Sequence, residues 1–162
     1  MSNLVVCSNE YEDNYCVSDV LQYIIRPKSP TDYVDWHGLG VLESSILHAS
    51  DSFHAIKSIY EKENGKQLHH FILNLDASSP LIYSWLHIVG FKTLQFIFDK
   101  GYQCVMAFHT NTYTPHIHIV INSINFKNGK RLDQVQSFYN QVLYYLKYEF
   151  SALRWESSVI YK

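Results

Sequence analysis

The sequence is poor in the features that mark membrane, secreted and cysteine-rich proteins. Its three cysteines, Cys7, Cys16 and Cys104, are odd in number and lack CxxC spacing. This argues against a disulfide scaffold or a cysteine-based zinc site and is typical of a reducing compartment. No apolar run approaches the roughly 20 residues that span a bilayer, and the N-terminus lacks the basic and apolar regions of a secretory signal. We therefore expect a cytoplasmic protein with no membrane partner.

The chain also lacks internal repeats, low-complexity tracts, domain linkers and a strong net charge. A length of 162 residues suits one domain spanning residues 1–162. The content of 47% hydrophobic and 17% charged residues is ordinary for a globular protein. The net charge of −2 argues against a generally basic nucleic-acid coat protein. The charge is uneven, because residues 1–35 carry −4 and residues 36–162 carry +2.

Apolar periodicity and turn signals predict an α+β fold. Helices are predicted at residues 19–26, from residue 51 to about residue 64, and at residues 81–99 and 133–150, with Ser18 and Asp51 as N-caps of the first two. Strands are predicted at residues 68–75, 103–109 and 116–122, with a further one over residues 155–161, while residues 27–40 are predicted to be a loop. Short links between adjacent strands favour a central antiparallel sheet of about five strands flanked by helices.

Histidine is plentiful, and three of its nine copies form the most informative pattern in the chain. His116 and His118 lie two residues apart on a predicted strand, so their side chains share one face. His109 ends the preceding strand, and antiparallel pairing would bring it beside the other two. Three converging imidazoles leave open coordination positions, which is typical of a catalytic metal site. The alternative is a solvated strand face, and imidazole ligands alone favour Zn, Mn, Fe, Ni or Cu over Mg.

The block from His109 through Pro115-His116-Ile117-His118 to Gly129-Lys130-Arg131 resembles the central motif of the relaxases. These mobilisation nucleases of conjugative plasmids and transposons belong to the HUH endonucleases, in which a His-hydrophobic-His pair holds a metal. Residues 68–75 resemble the family's preceding strand, and residues 21–31 resemble the N-terminal motif with the nucleophilic tyrosine. The resemblance covers most of residues 15–155, and its specific part is the block that begins at the histidines.

The resemblance implies an HUH-endonuclease-like fold and a metal-dependent relaxase that nicks and rejoins single-stranded DNA at an origin of transfer. In such an enzyme a tyrosine hydroxyl attacks the scissile phosphate, forms a 5′-phosphotyrosine and releases a 3′-OH. By this resemblance Tyr23 is the catalytic nucleophile, and His109, His116 and His118 hold a divalent metal, Mg²⁺ or Mn²⁺. Accessory relaxosome proteins are the further partners that the family implies.

Three alternatives to this assignment stay open at the level of sequence. Tyr144 and Lys147 form a YxxK pattern that resembles the tyrosine motif of rolling-circle replication initiators, and HUH transposases also carry their tyrosine on a late helix. Tyr23 itself is a candidate core aromatic, because Ile24 and Ile25 follow it. A degenerate member that binds DNA without cleaving it is the third possibility, since Asn111 stands where relaxases often have an acid.

Several polar residues are candidates for support of the site or for DNA contact. Asn111 can hydrogen-bond an imidazole in a second shell around the metal, but it cannot accept a proton as a carboxylate would. Five basic residues are candidate phosphate contacts, namely Arg26 and Lys28 beside the tyrosine and Lys127, Lys130 and Arg131 in the turn after the histidine strand. The roles of His69 and His70 are left open by the sequence.

Overall fold

A computed structural model describes residues 1–111 and 113–162 of the chain, and Thr112, in the predicted loop of residues 110–115, lies outside the described part. Within the described residues there are six strands and four α-helices. The strands are β1 (Asn3–Val6), β2 (Asp35–Leu39), β3 (Leu68–Asn74), β4 (Cys104–His109), β5 (His116–Asn122) and β6 (Ile160–Tyr161). The helices are α1 (Cys16–Ile24), α2 (Ile46–Ile59), α3 (Ile82–Asp99) and α4 (Val135–Glu149).

All strands join one sheet in the order β2-β4-β5-β3-β1-β6. Every neighbouring pair is antiparallel except β1 and β6, which run parallel. The predicted α+β class and the helix-flanked, largely antiparallel sheet are confirmed. The described part of the chain holds one strand more than the predicted five.

Two strands were absent from the sequence prediction. β2 falls within residues 27–40, which were predicted to be a loop, because its sequence DWHGL has no apolar alternation. It forms by pairing with β4, whose partner residues follow it by about 70 positions. β1 has only four residues and is held in the sheet by its pairing with β3. The predicted last strand is reduced to β6 and one bridge between Ser2 and Trp155.

The sheet separates two apolar layers, and this separation decides which side chains reach the histidine cluster. Helices α3 and α4 pack on the face that carries Ile117, Ile119 and Ile121 of β5. Helices α1 and α2 pack on the other face, against Val105 and Val120. Because side chains alternate along a strand, His116 and His118 belong to the face that α1 and α2 cover.

Helix starts differ from the predicted caps. Helix α1 begins at Cys16, and Ser18 lies inside it with its hydroxyl donating to the Tyr15 carbonyl at 3.0 Å. The N-cap of helix α2 is Ser45, six residues before the predicted cap Asp51, because the Ser45 side chain accepts the backbone N–H of His48 at 3.1 Å. Serine is among the preferred N-cap residues, so the earlier serine caps α2.

No helix among the described residues is long and apolar enough to cross a membrane.

Lys57 of α2 predicts a pH dependence of stability. Its side chain is fully buried, and its Nζ has no hydrogen-bond partner among the described residues. Burial lowers the pKa of Lys57 to about 7, from 10.5 in an unfolded chain. Between these values the unfolded chain binds more protons than the folded one, so stability rises with pH. Relative to wild type, Lys57→Met should therefore stabilise the protein more at pH 7 than at pH 9.

Urea denaturation followed by circular dichroism at both pH values measures this difference. The difference between variant and wild type should shrink as the pH rises, by at most about 1.4 kcal/mol per pH unit. Lys92→Met is the matched control, because Lys92 is exposed on α3, and it should show no such trend. An equal difference for Lys57→Met at pH 7 and pH 9 would contradict the assignment of a neutral buried amine.

Candidate active site

Three histidines converge at one end of β4 and β5. His109 lies directly opposite His116 across the strand pair, and His118 shares the face of His116. The ring centroids are 5.3 Å apart for His109 and His116, 5.1 Å for His109 and His118, and 5.2 Å for His116 and His118. The period of two in β5 and the antiparallel pairing with β4 together produce this cluster.

Asp32, which the sequence analysis did not single out, orients His109. Its Oδ2 accepts a hydrogen bond from Nδ1 of His109 at 2.8 Å and from the backbone N–H of Lys28 at 2.8 Å. Its Oδ1 accepts the backbone N–H of Thr110 at 3.0 Å. Burial raises the pKa of Asp32, but the hydrogen bonds from Lys28, His109 and Thr110 outweigh it, so the net pKa is lowered. The ionised carboxylate thus ties the loop after α1 to the end of β4.

The second nitrogen of His109 faces the end of α1. Its Nε2 lies 2.5 Å from the carbonyl oxygen of Ile24, the last residue of α1. An oxygen atom therefore faces each nitrogen of this ring.

The rings of His116 and His118 are neutral. Burial, followed by the neighbouring imidazoles of His70, His116 and His109, lowers the pKa of His118 to about 2. Burial is also the main cause that lowers the pKa of His116. A neutral imidazole carries a lone pair on one nitrogen, and metal ligation requires that lone pair.

The chemistry of the donors fits a divalent metal ion. Two neutral imidazoles face a third that is held by a carboxylate, and this His–carboxylate contact is the usual support of a metal-ligating histidine. Within residues 1–111 and 113–162, no group of three or more His, Cys, Asp or Glu side chains is already arranged around one point as ligands. For His109 to bind a metal ion through Nε2, its ring would have to leave the contact with the Ile24 carbonyl.

Tyr23, near the end of α1, stands beside this cluster. Its ring is edge-on to that of His118, with centroids 6.1 Å apart. Tyr23 is 49% exposed, so about half of the residue is open to solvent and to a large substrate. Lys28 lies over the face of the same ring, with Nζ 3.6 Å from the ring centroid. A tyrosine, a cation and three imidazoles therefore share one end of the sheet.

The match to a family model decides what kind of site this is. The model describes the MobA/VirD2-like nuclease domain of relaxases, and it matches residues 23–145. This range is more than half of the chain. The chain belongs to this relaxase family. The matched range begins at Tyr23 and contains all three clustered histidines.

Two curated relatives show a weaker likeness to this relaxase domain. Both are described as the group II intron-interrupted relaxase LtrB of Lactococcus lactis subsp. cremoris, one of them from strain MG1363. Each is 32% identical to the chain over 73 residues, which is 45% of this chain. The match spans 13% of the length of these relatives.

Tyr144, the alternative candidate for the nucleophile of the relaxase domain, lies on the other side of the sheet from the histidines. Tyr144 belongs to α4, whose buried residues Val142 and Leu146 pack on the face of Ile117, Ile119 and Ile121. The Tyr144 side chain is 74% exposed. The sheet therefore stands between this hydroxyl and the imidazoles of the other face.

The five candidate DNA-contact residues divide into two groups. Arg26 and Lys28 are exposed in the loop that follows Tyr23. The other three follow the far end of β5, which lies about 20 Å along the strand from His116 and about 14 Å from His118. Lys127 donates to the Asp99 carbonyl at 2.7 Å, Lys130 is exposed, and Arg131 donates to backbone carbonyls of the loop before β3. The basic turn is thus remote from the clustered imidazoles.

His70, whose role the sequence left open, contacts the histidine cluster, and the contact with an imidazole that was expected of Asn111 is made by Asp32. Asn111 Oδ1 is buried without a hydrogen-bond partner among the described residues, and Asp32 is the side chain that contacts His109. His70 of β3 lies with its Nε2 2.9 Å from Nδ1 of His118. The alternation of side chains along β3 places His69 on the other face of the strand. No local spacing pointed to Asp32, because it contacts a residue 77 positions away.

Proposed function

We propose that residues 1–162 form a single relaxase domain that nicks and rejoins one strand of DNA at an origin of transfer. The observation that carries the proposal is the position of Tyr23, whose ring lies 6.1 Å from that of His118 at the edge of the imidazole cluster. A half-exposed tyrosine beside histidines that can bind a metal ion is suited to attack on a phosphodiester of a large substrate.

In the proposed reaction the hydroxyl oxygen of Tyr23 attacks the scissile phosphorus. The Tyr23 oxygen–phosphorus bond forms as the bond from phosphorus to the 3′ oxygen breaks. The tyrosine hydroxyl gives up its proton, and the leaving 3′ oxygen takes one up, so the products are a 5′-phosphotyrosine and a 3′-OH. The phosphodiester energy is kept in the tyrosyl ester, so attack by a 3′-OH on that ester reverses the step and rejoins the strand.

We propose that His109, His116 and His118 hold a divalent metal, Mn²⁺ or Mg²⁺. When bound, such an ion polarises the phosphate oxygens and offsets the charge that develops on them. Asp32 holds the ring of His109 by its Nδ1, and the neutral state of His116 and His118 leaves lone pairs for the ion. The all-imidazole donor set favours Mn²⁺ over Mg²⁺.

We propose that single-stranded DNA reaches this end of the sheet through contacts from the loop after α1. Lys28 lies at the Tyr23 ring, and exposed Arg26 precedes it, so both are suited to phosphates beside the scissile one. Tyr33 is 59% exposed and its backbone N–H donates to Thr110 at 3.1 Å. Such an exposed aromatic near the site is suited to stacking on an unpaired base.

A cleavage assay tests the proposed function. Labelled single-stranded oligonucleotides that tile the DNA flanking the gene are incubated with the protein and Mn²⁺, Mg²⁺ or a chelator, and the products are run on denaturing gels. We expect one oligonucleotide to give a free 3′-OH fragment and a protein-linked fragment in Mn²⁺, and the chelator to abolish both. Metal-dependent binding of these DNAs without any protein-linked fragment would favour a member that binds DNA and does not cleave it.

A further inference from the structure

A chain of polar contacts runs from the loop after β1 to the histidine cluster. The side-chain amide of Asn9 donates to the hydroxyl oxygen of Tyr11 at 3.0 Å. That oxygen lies 3.4 Å from Nδ1 of His70, and Nε2 of His70 lies 2.9 Å from Nδ1 of His118. The chain of contacts thus ends at Nδ1 of His118, which is linked to Tyr11 through the ring of His70.

Strand pairing holds the two rings of this chain in place. Ile72 of β3 pairs with His118 of β5, and His70 pairs with Val120. His70 and His118 are therefore diagonal neighbours on one face, where long side chains touch. Their ring centroids are 5.2 Å apart with an interplanar angle of 32°, and both side chains are at least 95% buried.

The short contact between His70 and His118 contains one proton, and the side on which that proton sits decides what His118 offers the site. If Nδ1 of His118 donates, its Nε2 keeps a lone pair that is available to a metal ion. If Nδ1 of His118 accepts, its Nε2 carries the proton and has no lone pair for a metal. The tautomer of His118 is thus coupled to that of His70.

We propose that His70 is a positioning residue, which accepts the Nδ1 proton of His118 and so presents the Nε2 lone pair of His118 to the metal. In this arrangement the other nitrogen of His70 carries its proton and donates to the hydroxyl oxygen of Tyr11. This inference rests on the proposed function for its purpose, but the tautomer it assigns exists in the metal-free protein. His70 here does for His118 what Asp32 does for His109, with a neutral acceptor in place of a carboxylate.

A substitution series separates this role from simple packing. His70→Phe keeps a ring of similar volume but removes the acceptor, so His118 loses the partner of its Nδ1. His70→Gln keeps an oxygen acceptor near the position of Nε2. His69→Gln is the matched control, because His69 is similarly buried and next in the chain but lies on the other face of β3 by the alternation of the strand.

The tautomer is measured directly by two-dimensional NMR that correlates the ring nitrogens and protons of ¹⁵N-labelled histidines in the metal-free wild type, with His118 assigned by substitution. We expect the Nδ1–H form for His118 in wild type and in His69→Gln. The Nε2–H form of His118 in wild type would overturn the proposal. This result does not depend on cleavage, so it is distinguishable from failure of the proposed function.

Mn²⁺ affinity, measured by calorimetry on the same proteins, supplies the second readout. Loss of the partner of a metal-ligating histidine weakens metal binding about 10–100-fold, and we expect a loss of this size for His70→Phe. His70→Gln should recover most of the affinity, and His69→Gln should bind as wild type does. Wild-type affinity in a folded His70→Phe variant would overturn the proposal even if the wild type cleaves DNA.

Discussion

Tyr23→Phe should abolish formation of the covalent protein–DNA product. The substitution removes the oxygen that is proposed to attack phosphorus, and no other atom of the side chain replaces it. The ring stays, so its edge contact with His118 and its contact with Lys28 are kept. Because the side chain is half exposed, we expect little change in stability or in DNA binding. The rate of nicking should fall by at least about 10³-fold.

Denaturing gels for the protein-linked product and gel-shift assays for binding measure the two effects separately. Tyr144→Phe is the matched control, since it removes a hydroxyl from a more exposed tyrosine on the opposite side of the sheet. That variant should nick DNA at the wild-type rate. Retention of the covalent product in Tyr23→Phe together with its loss in Tyr144→Phe would transfer the nucleophile to α4.

Asp32→Asn should weaken metal binding and nicking with almost no change in side-chain volume. The carboxylate of Asp32 accepts three N–H donors, from His109, Lys28 and Thr110. An amide has only one oxygen, so its NH₂ group must face at least one of these donors. With its oxygen at the Oδ2 position the amide keeps the His109 and Lys28 donors and turns its NH₂ group to the backbone N–H of Thr110. His109 then loses the negative charge of its acceptor, and we expect Mn²⁺ affinity to fall about 10–100-fold. Unpaired buried donors should also lower the free energy of unfolding by about 1–3 kcal/mol.

Calorimetry with Mn²⁺ and urea denaturation measure these two losses. Asp35→Asn is the control, because Asp35 makes a similar contact, at 3.0 Å, with His37 on β2 and does not touch the cluster. It should leave Mn²⁺ affinity unchanged. Undiminished Mn²⁺ affinity in Asp32→Asn would show that the carboxylate beside His109 does not support the metal site.

The histidine cluster was predictable because it depends on local rules. The spacing of His116 and His118 places both on one face of a strand, and a short link to the preceding strand brings His109 opposite His116. The same alternation predicted that Ile117 and Ile119 belong to the other layer. The regular elements with strong apolar patterns, β3, β5 and α3, were likewise predicted close to their observed bounds.

The support around the cluster was not predictable, because it depends on contacts between distant segments. Asp32 lies in an irregular loop and reaches His109 across 77 positions, while His70 reaches His118 across 48. Strand β2 lacks a pattern of its own and exists through its pairing with β4. The basic turn follows the histidine strand in sequence, yet the length of β5 carries Lys127 and Lys130 away from the site.

Mass spectrometry of the covalent product tests the central claim most directly. The wild-type protein is reacted with its single-stranded DNA, the DNA is digested to a short remnant, and the protein is cut with trypsin. The two candidate nucleophiles fall in different tryptic peptides, residues 1–28 for Tyr23 and residues 132–147 for Tyr144. We predict a nucleotide phosphate on the first peptide, located by fragmentation at Tyr23. A nucleotide phosphate on Tyr144, or on any other residue, would contradict the account.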